Sequence, residues 1–152
     1  MTKTTSLDFA ECNSLVAYFA TGSRVIPGCH VTECTDYDYV LLPYYPDKDR
    51  LNAQLEELGY VKSVGNDYKN LISNLSDFTA WRHPDNLNNL IVCNNINSYM
   101  QWKTATKYTI EHKITDKTHR IQLFTLVRSM GTTYMSIGEV NKQRADLATK
   151  GS

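Results

Sequence analysis

The sequence predicts an α+β fold: a small mixed sheet, helices on one face, and a C-terminal helical pair closing one side of a cleft. Three observations lead there. Runs rich in apolar, aromatic and β-branched residues at 15–20, 35–42, 78–82 and 90–93 have strand length and are set off by Gly, Pro and Asn. Between the second and third runs, Leu51, Leu55 and Leu58 recur at spacings of four and three, which is one face of a helix. From residue 96 onward the apolar residues keep helical spacing instead of strand alternation.

Taken in order, Ser6 can cap a short helix over 7–12. The run Leu15-Val16-Ala17-Tyr18-Phe19-Ala20 holds no polar side chain but the tyrosine hydroxyl, as a buried strand would. Thr21-Gly22-Ser23-Arg24 ends it and Pro27-Gly28 turns the chain. The strand at 35–42 stops at Pro43 and Pro46. A helix starts at Asp47 or Asp49 and stops at Gly59, a natural C′ residue. Residues 60–64 read as a short strand, and 66–74 are ambiguous. The strand at 78–82 follows the helix and is the expected neighbour of 35–42. His83-Pro84-Asp85-Asn86 turns the chain into the strand at 90–93. Tyr99, Trp102, Ala105, Thr106, Thr109 and Ile110 stripe a helix over 96–113. Thr115 or Asp116 caps another, with Ile121, Phe124, Leu126 and Val127 inward, running to Met130 and stopped by Gly131. The chain thus divides into a core at 1–95, a helical segment packed on it at 96–137, and a polar tail at 138–152.

The 152 residues suffice for one domain with a real core. Lysine plus arginine equals aspartate plus glutamate, 16 each, so net charge gives no case for general nucleic-acid or membrane binding. No apolar run is long enough to span a bilayer, and the N-terminus lacks the apolar segment of a signal peptide, so a cytoplasmic protein is expected. Cys12, Cys29, Cys34 and Cys93 form no CxxC pair, and reduced thiols are the expectation.

The chemistry-bearing stretch is Thr35-Asp36-Tyr37-Asp38-Tyr39-Val40-Leu41-Leu42. On a strand, residues two apart share a face, so Asp36 and Asp38 present paired carboxylates, with Tyr37 and Tyr39 packing on the other side. Such a pair suits a divalent cation with a taste for oxygen, Mg²⁺ or Mn²⁺; two acids on a solvated edge strand would look the same. Gly22 lets backbone approach an anion, Ser23 and nearby N–H groups can donate to phosphate oxygens, and Arg24 can add a charged contact. Lys103, Lys107, Lys113, Lys117, Arg120 and Arg128 make the helical part locally basic, either as a solvated face or as a phosphate- or RNA-binding wall.

Gly22-Ser23-Arg24 after an apolar strand, then a loop, then Asp36-Tyr37-Asp38-Tyr39, resembles the signature of the nucleotidyltransferase superfamily, whose palm is similar to that of DNA polymerase β. The helical end, with Trp102-Lys103-Thr104-Ala105-Thr106 and Thr115-Asp116-Lys117-Thr118-His119-Arg120, is similar to that of small nucleotidyltransferase-like proteins encoded by tailed phages. The resemblance implies a nucleotidyltransferase-like fold and metal-dependent transfer of a nucleotide from an NTP to an acceptor: RNA, protein or small molecule. Asp36 and Asp38 would bind Mg²⁺ or Mn²⁺, Gly22, Ser23 and Arg24 would hold phosphate, and a phage origin would place the protein in the host cytoplasm. The superfamily commonly adds a third carboxylate from a neighbouring strand, and Asp77 is the acid the strand at 78–82 can offer. Without it, the implied alternative is a catalytically inactive protein that binds a nucleotide or a host protein.

Overall fold

The computed structural model of the chain describes residues 5–44, 48–62 and 78–129. Five strands form one mixed sheet: β1 (Leu15–Thr21), β2 (Tyr37–Pro43), β3 (Val61–Lys62), β4 (Phe78–Arg82) and β5 (Asn88–Cys93). Their order across the sheet is β1-β2-β5-β4-β3, with β2 and β5 parallel and the other neighbours antiparallel. Among the described residues three helices accompany the sheet in an α+β architecture, α1 (Lys48–Glu57), α2 (Ile96–Glu111) and α3 (Lys117–Ser129), with short 3-10 turns at Asp8–Glu11 and Ser23–Val25. The expectations for 66–74, Asp77, the Gly131 stop and the tail at 138–152 lie outside the described residues.

Alternation decides the layers. Along β2, β5 and β4 one set of side chains, Tyr39, Leu41, Leu90, Val92 and Trp81, packs with Leu51 and Leu55 of α1 and with Phe9. The alternate set, Val40, Ile91, Cys93 and Phe78, packs with Tyr99, Trp102, Ala105 and Tyr108 of α2 and Leu123, Phe124 and Val127 of α3. The helices therefore cover both faces rather than one. A sheet whose central strands are apolar on both sides requires this.

Two other expectations change. The strand at 78–82 is not the neighbour of β2, because β5 lies between them. β4 and β5 form an antiparallel pair through a short turn, and only the second member of that pair runs parallel to β2. β1 is not buried on both faces: it is an edge strand, with Val16 and Tyr18 exposed. A register irregularity between Leu15 and Ala17 makes the strand serve both cores. Leu15 joins the α1 side, while Ala17 and Phe19 join the α2–α3 side.

The helix ends follow local chemistry. After α1, Gly59 takes a φ of 95° and its N–H donates to the Glu56 carbonyl. Asn95 caps α2, its Oδ1 accepting from Ser98 N–H at 2.8 Å. Asp116, not Thr115, caps α3, with Oδ2 accepting from His119 N–H at 2.8 Å. Lys113 closes α2 in the left-handed region, at a φ of 51°.

A buried polar knot pins the N-terminal segment across the sheet. Thr5 Oγ1 donates to Asn88 Oδ1 at 2.7 Å, Asn88 Nδ2 donates to the Tyr60 hydroxyl at 2.8 Å, and that hydroxyl donates to Asp8 Oδ1 at 2.8 Å. Asn88 Nδ2 also reaches the Ser6 carbonyl. Burial pushes the Tyr60 hydroxyl pKa well up, so Tyr60 stays a donor to Asp8.

Candidate functional site

The sheet's α2–α3 face ends in one polar row. Strand pairing sets Thr21 opposite Asp38, Asp38 beside Asn89, and Asn89 opposite Arg82. Partners in register point to the same face. The next row inward, Phe19, Val40, Ile91 and Ala80, is apolar and lies under the helical pair. The polar row is therefore where the hydrophobic layer stops, at the end of the sheet to which the Gly22–Ser23 turn and the loop before β2 both lead.

Asp38 is the centre of that row. Its Oδ1 accepts from Asn89 Nδ2 at 3.0 Å. Its Oδ2 lies against Gly22 so closely that a Cβ there would overlap it. Gly22 also has a φ of 82° and ψ of −165°, a region essentially closed to other residues. The glycine thus serves the carboxylate: it makes room for Asp38, where the sequence suggested room for an anion. Burial raises the Asp38 pKa from the usual 3.8 to about 6. The Asn89 hydrogen bond pulls it down, the Asp36 charge pushes it up, and Arg82 and Arg120 pull it down.

Asp36 sits just ahead of β2, half-exposed, with its Oδ2 3.5 Å from the Arg82 guanidinium. Asp36 and Asp38 are therefore close enough to feel each other's charge, as two residues apart on one face should be. Asp77 lies outside the described residues. At the level of Asp38, the positions on β5 and β4 are filled by an amide, Asn89, and a cation, Arg82.

Ser23 opens the 3-10 turn that follows Gly22, and Val25 N–H closes the turn on the Gly22 carbonyl at 3.2 Å. Arg24 turns away from the row. Its Nε and Nη2 donate to the Thr35 carbonyl at 3.0 and 2.7 Å, Nη2 also donates to the Thr32 carbonyl at 3.2 Å, and its guanidinium lies 3.7 Å from the centre of the Tyr37 ring. Arg24 holds the loop that delivers Asp36. Both ends of that clasp were visible in the sequence, but neither implied the other.

Arg120 of α3 takes the place expected of Arg24. It lines a shallow pocket with Thr21, Gly22, Ile26, Trp102, Ala105, Thr106, Thr109 and Phe124, whose cavity volume is about 20 Å³. Its Nη2 lies 3.5 Å from Ser23 Oγ. Thr21 and Thr106 share a hydroxyl hydrogen bond of 2.8 Å at the pocket wall, tying β1 to α2.

Sequence reasoning missed Asn89 and Arg82 and did not single out Arg120. Asn89 looked like a turn residue and Arg82 like a strand end; only the pairing register brings them to Asp38. Arg120 was one of several basic residues on a helix. Cys29, Cys34 and His30 make no metal group: among the described residues, no three of His, Cys, Asp and Glu are grouped to hold an ion. His83 is a latch, its Nε2 donating to the Leu58 carbonyl at 2.9 Å and its Nδ1 accepting from Asp85 N–H at 3.0 Å. No helix among the described residues is long and apolar enough to cross a membrane.

The donor set tests the implied metal. Asp36 and Asp38 offer hard oxygens, which suit Mg²⁺ or Mn²⁺. One oxygen of each is already engaged, by Arg82 and by Asn89. Among the described residues no third acid joins them, so a cation there would have two carboxylate ligands, Asp36 and Asp38, with the charges of Arg82 and Arg120 set against it.

No family model matches the chain, and no curated protein matches it. Among solved structures, the crystal structure of conserved protein GrpB from Enterococcus faecalis is similar over 91% of this chain and 84% of its own, at 14% identity and a TM-score of 0.49. A likeness of that degree says nothing of function.

Proposed function

We propose that the protein binds a nucleoside triphosphate, together with one Mg²⁺ or Mn²⁺ ion, at the row Thr21-Asp38-Asn89-Arg82, and that holding the nucleotide is its main activity. The observation that carries this is that the positions beside Asp38 on β5 and β4 hold an amide, Asn89, and a cation, Arg82, the latter paired with Asp36, rather than a further carboxylate. A two-metal site stabilises both the attacking and the leaving oxygen. Two cations need more negative charge than a pair of aspartates already offset by arginine. One cation bridging to phosphate does not. When bound, the ion would neutralise phosphate charge. Asp36 and Asp38 would hold it, Ser23 and the turn's backbone would meet phosphate oxygens, and Asn89 and Gly22 would keep the Asp38 carboxylate in place.

Transfer of the nucleotide to RNA, protein or a small molecule is the second reading. The proximity of the Asp36–Asp38 pair to Gly22–Ser23 favours it. The end of β4 at the site is Arg82, however, while Phe78, which follows Asp77, pairs with Cys93 at the other end, so a third carboxylate would have to come from elsewhere than β4. A cytoplasmic setting, where NTP and Mg²⁺ coexist, goes with both readings. Binding and transfer separate in one experiment. Thermal melting with Mn²⁺ and ATP is expected to raise Tm for the wild type, since a ligand of the native state stabilises by mass action, and to leave Asp36→Asn/Asp38→Asn unshifted. Labelled NTPs offered with mixed acceptors are expected to give no labelled product. A labelled product that disappears with Asp36→Asn/Asp38→Asn would establish the transferase instead.

A further inference from the structure

Three arginines lie in or near the row, Arg82, Arg24 and Arg120, and the first two are committed. Arg82 is paired with the Asp36 carboxylate, and Arg24 gives its hydrogens to two backbone carbonyls and its flat face to Tyr37. Arg120 differs. One side of its guanidinium is anchored: Nη1 donates to the Thr115 carbonyl at 2.9 Å and lies 3.4 Å from Cys29 Sγ. The other side, Nη2, points to Ser23 Oγ at 3.5 Å, too long for a good hydrogen bond. No carboxylate among the described residues lies within ion-pair distance of it. Among the residues lining the pocket beside Gly22, Arg120 alone is charged.

A guanidinium fixed on one edge and open on the other is prepared for a fork-like contact with an oxyanion. The edge left open faces the Ser23 hydroxyl, itself a donor. We propose that Arg120 and Ser23 together grip a phosphate group of a polyphosphate, and that Arg120 is the residue through which the C-terminal helical pair discriminates polyphosphates from uncharged ligands. This rests on the nucleotide reading above and adds to it the residue and the chemical group recognised. A phosphate at this place would complete the open half of the fork. It would also join three segments that Arg120 already touches: the Gly22–Ser23 turn, the Cys29 loop and the turn between α2 and α3.

Nucleotide and free polyphosphate share this chemistry, so the test uses both. Titration calorimetry in the presence of Mn²⁺ compares ATP, inorganic triphosphate and adenosine on the wild type, Arg120→Gln and Arg120→Lys. ATP and triphosphate are expected to bind the wild type, and adenosine is not. Arg120→Gln is expected to lose about tenfold or more in affinity for both polyphosphates, and Arg120→Lys, which keeps charge but not the fork, to lose less. Because Arg120 also supports the Thr115 carbonyl, a second measurement uses the unaltered chain: modification of arginines by phenylglyoxal, read by mass spectrometry. Triphosphate is expected to slow modification of Arg120 specifically. Equal affinity of Arg120→Gln and wild type for ATP, or equal modification of Arg120 with and without triphosphate, overturns this role while leaving the nucleotide reading intact. Binding of triphosphate without ATP, lost in Arg120→Gln, overturns the nucleotide reading and keeps the phosphate grip. A wild type that binds neither polyphosphate overturns both.

Discussion

Asp38 titrates where few aspartates do, and the sign of the effect is testable. Its folded-state pKa, about 6, exceeds the ordinary 3.8, so the folded protein holds this proton more tightly than the unfolded chain. The stability this contributes is complete below the ordinary value and is lost as pH rises through about 6, an effect of about 2–3 kcal/mol at most. Asp38→Asn, which keeps an acceptor for Asn89, is expected to be more stable than wild type at pH 8 and close to it at pH 4. Urea unfolding at the two pH values reads the difference, and a pH-independent offset would contradict it. The same proton competes with any cation at Asp38, so Mn²⁺ affinity is expected to fall about tenfold per pH unit below 6. Gly22 makes a paired prediction. Gly22→Ala meets both an unfavourable backbone conformation and the Asp38 carboxylate, and is expected to cost about 2 kcal/mol or more. In an Asp38→Ala background the clash disappears and the strain remains, so the cost of Gly22→Ala is expected to shrink without vanishing. A double-mutant cycle measures that coupling.

At the scale of elements, the sequence was most legible where local chemistry alone decides. The Leu51-Leu55-Leu58 spacing and Gly59 mark α1, and the Asp116 cap marks α3. The Asn95 cap on α2 was not singled out from the sequence; it is expected to be worth about 1 kcal/mol, lost in Asn95→Ala and visible as a lowered urea midpoint with unchanged slope. What was hidden depends on pairing between distant segments. Leu15 to Ala20 reads as a doubly buried strand because nothing in six apolar residues shows that Val16 and Tyr18 will be left exposed. The place of β5 between β2 and β4 was equally hidden, and with it the identity of Asp38's neighbours. Asp36, Asp38, Gly22 and Ser23 could be picked out as residues. That Gly22 packs on Asp38, that Arg24 clasps the loop, and that Arg120 comes instead to the pocket could not, since each is a contact that only the closed sheet and the docked helical pair create.

At the scale of the whole molecule, two hydrophobic layers on a five-stranded sheet leave one end open, and the row Thr21-Asp38-Asn89-Arg82 lies at that end. The parallel pairing of β2 with β5 divides the sheet into a β1–β2 hairpin-like half and a β4–β5 half, each built from contacts close in sequence. Asp38 and Asn89 lie 51 positions apart, on opposite sides of that division. Contacts so distant close late and at an entropic cost, after each half has formed. The row that makes the site is therefore also the seam of the folding reaction: Thr21 and Asp38 arrive with one half, Asn89 and Arg82 with the other. Native-state hydrogen exchange is expected to show the seam amides of Tyr37 through Leu41 and Asn88 through Val92 opening together, as one cooperative unit, rather than strand by strand. A transient parting of the halves would erase the binding site while leaving most of each half's own structure standing, so the lifetime of a bound nucleotide would set a clock on that motion, and its occupancy would hold the seam shut.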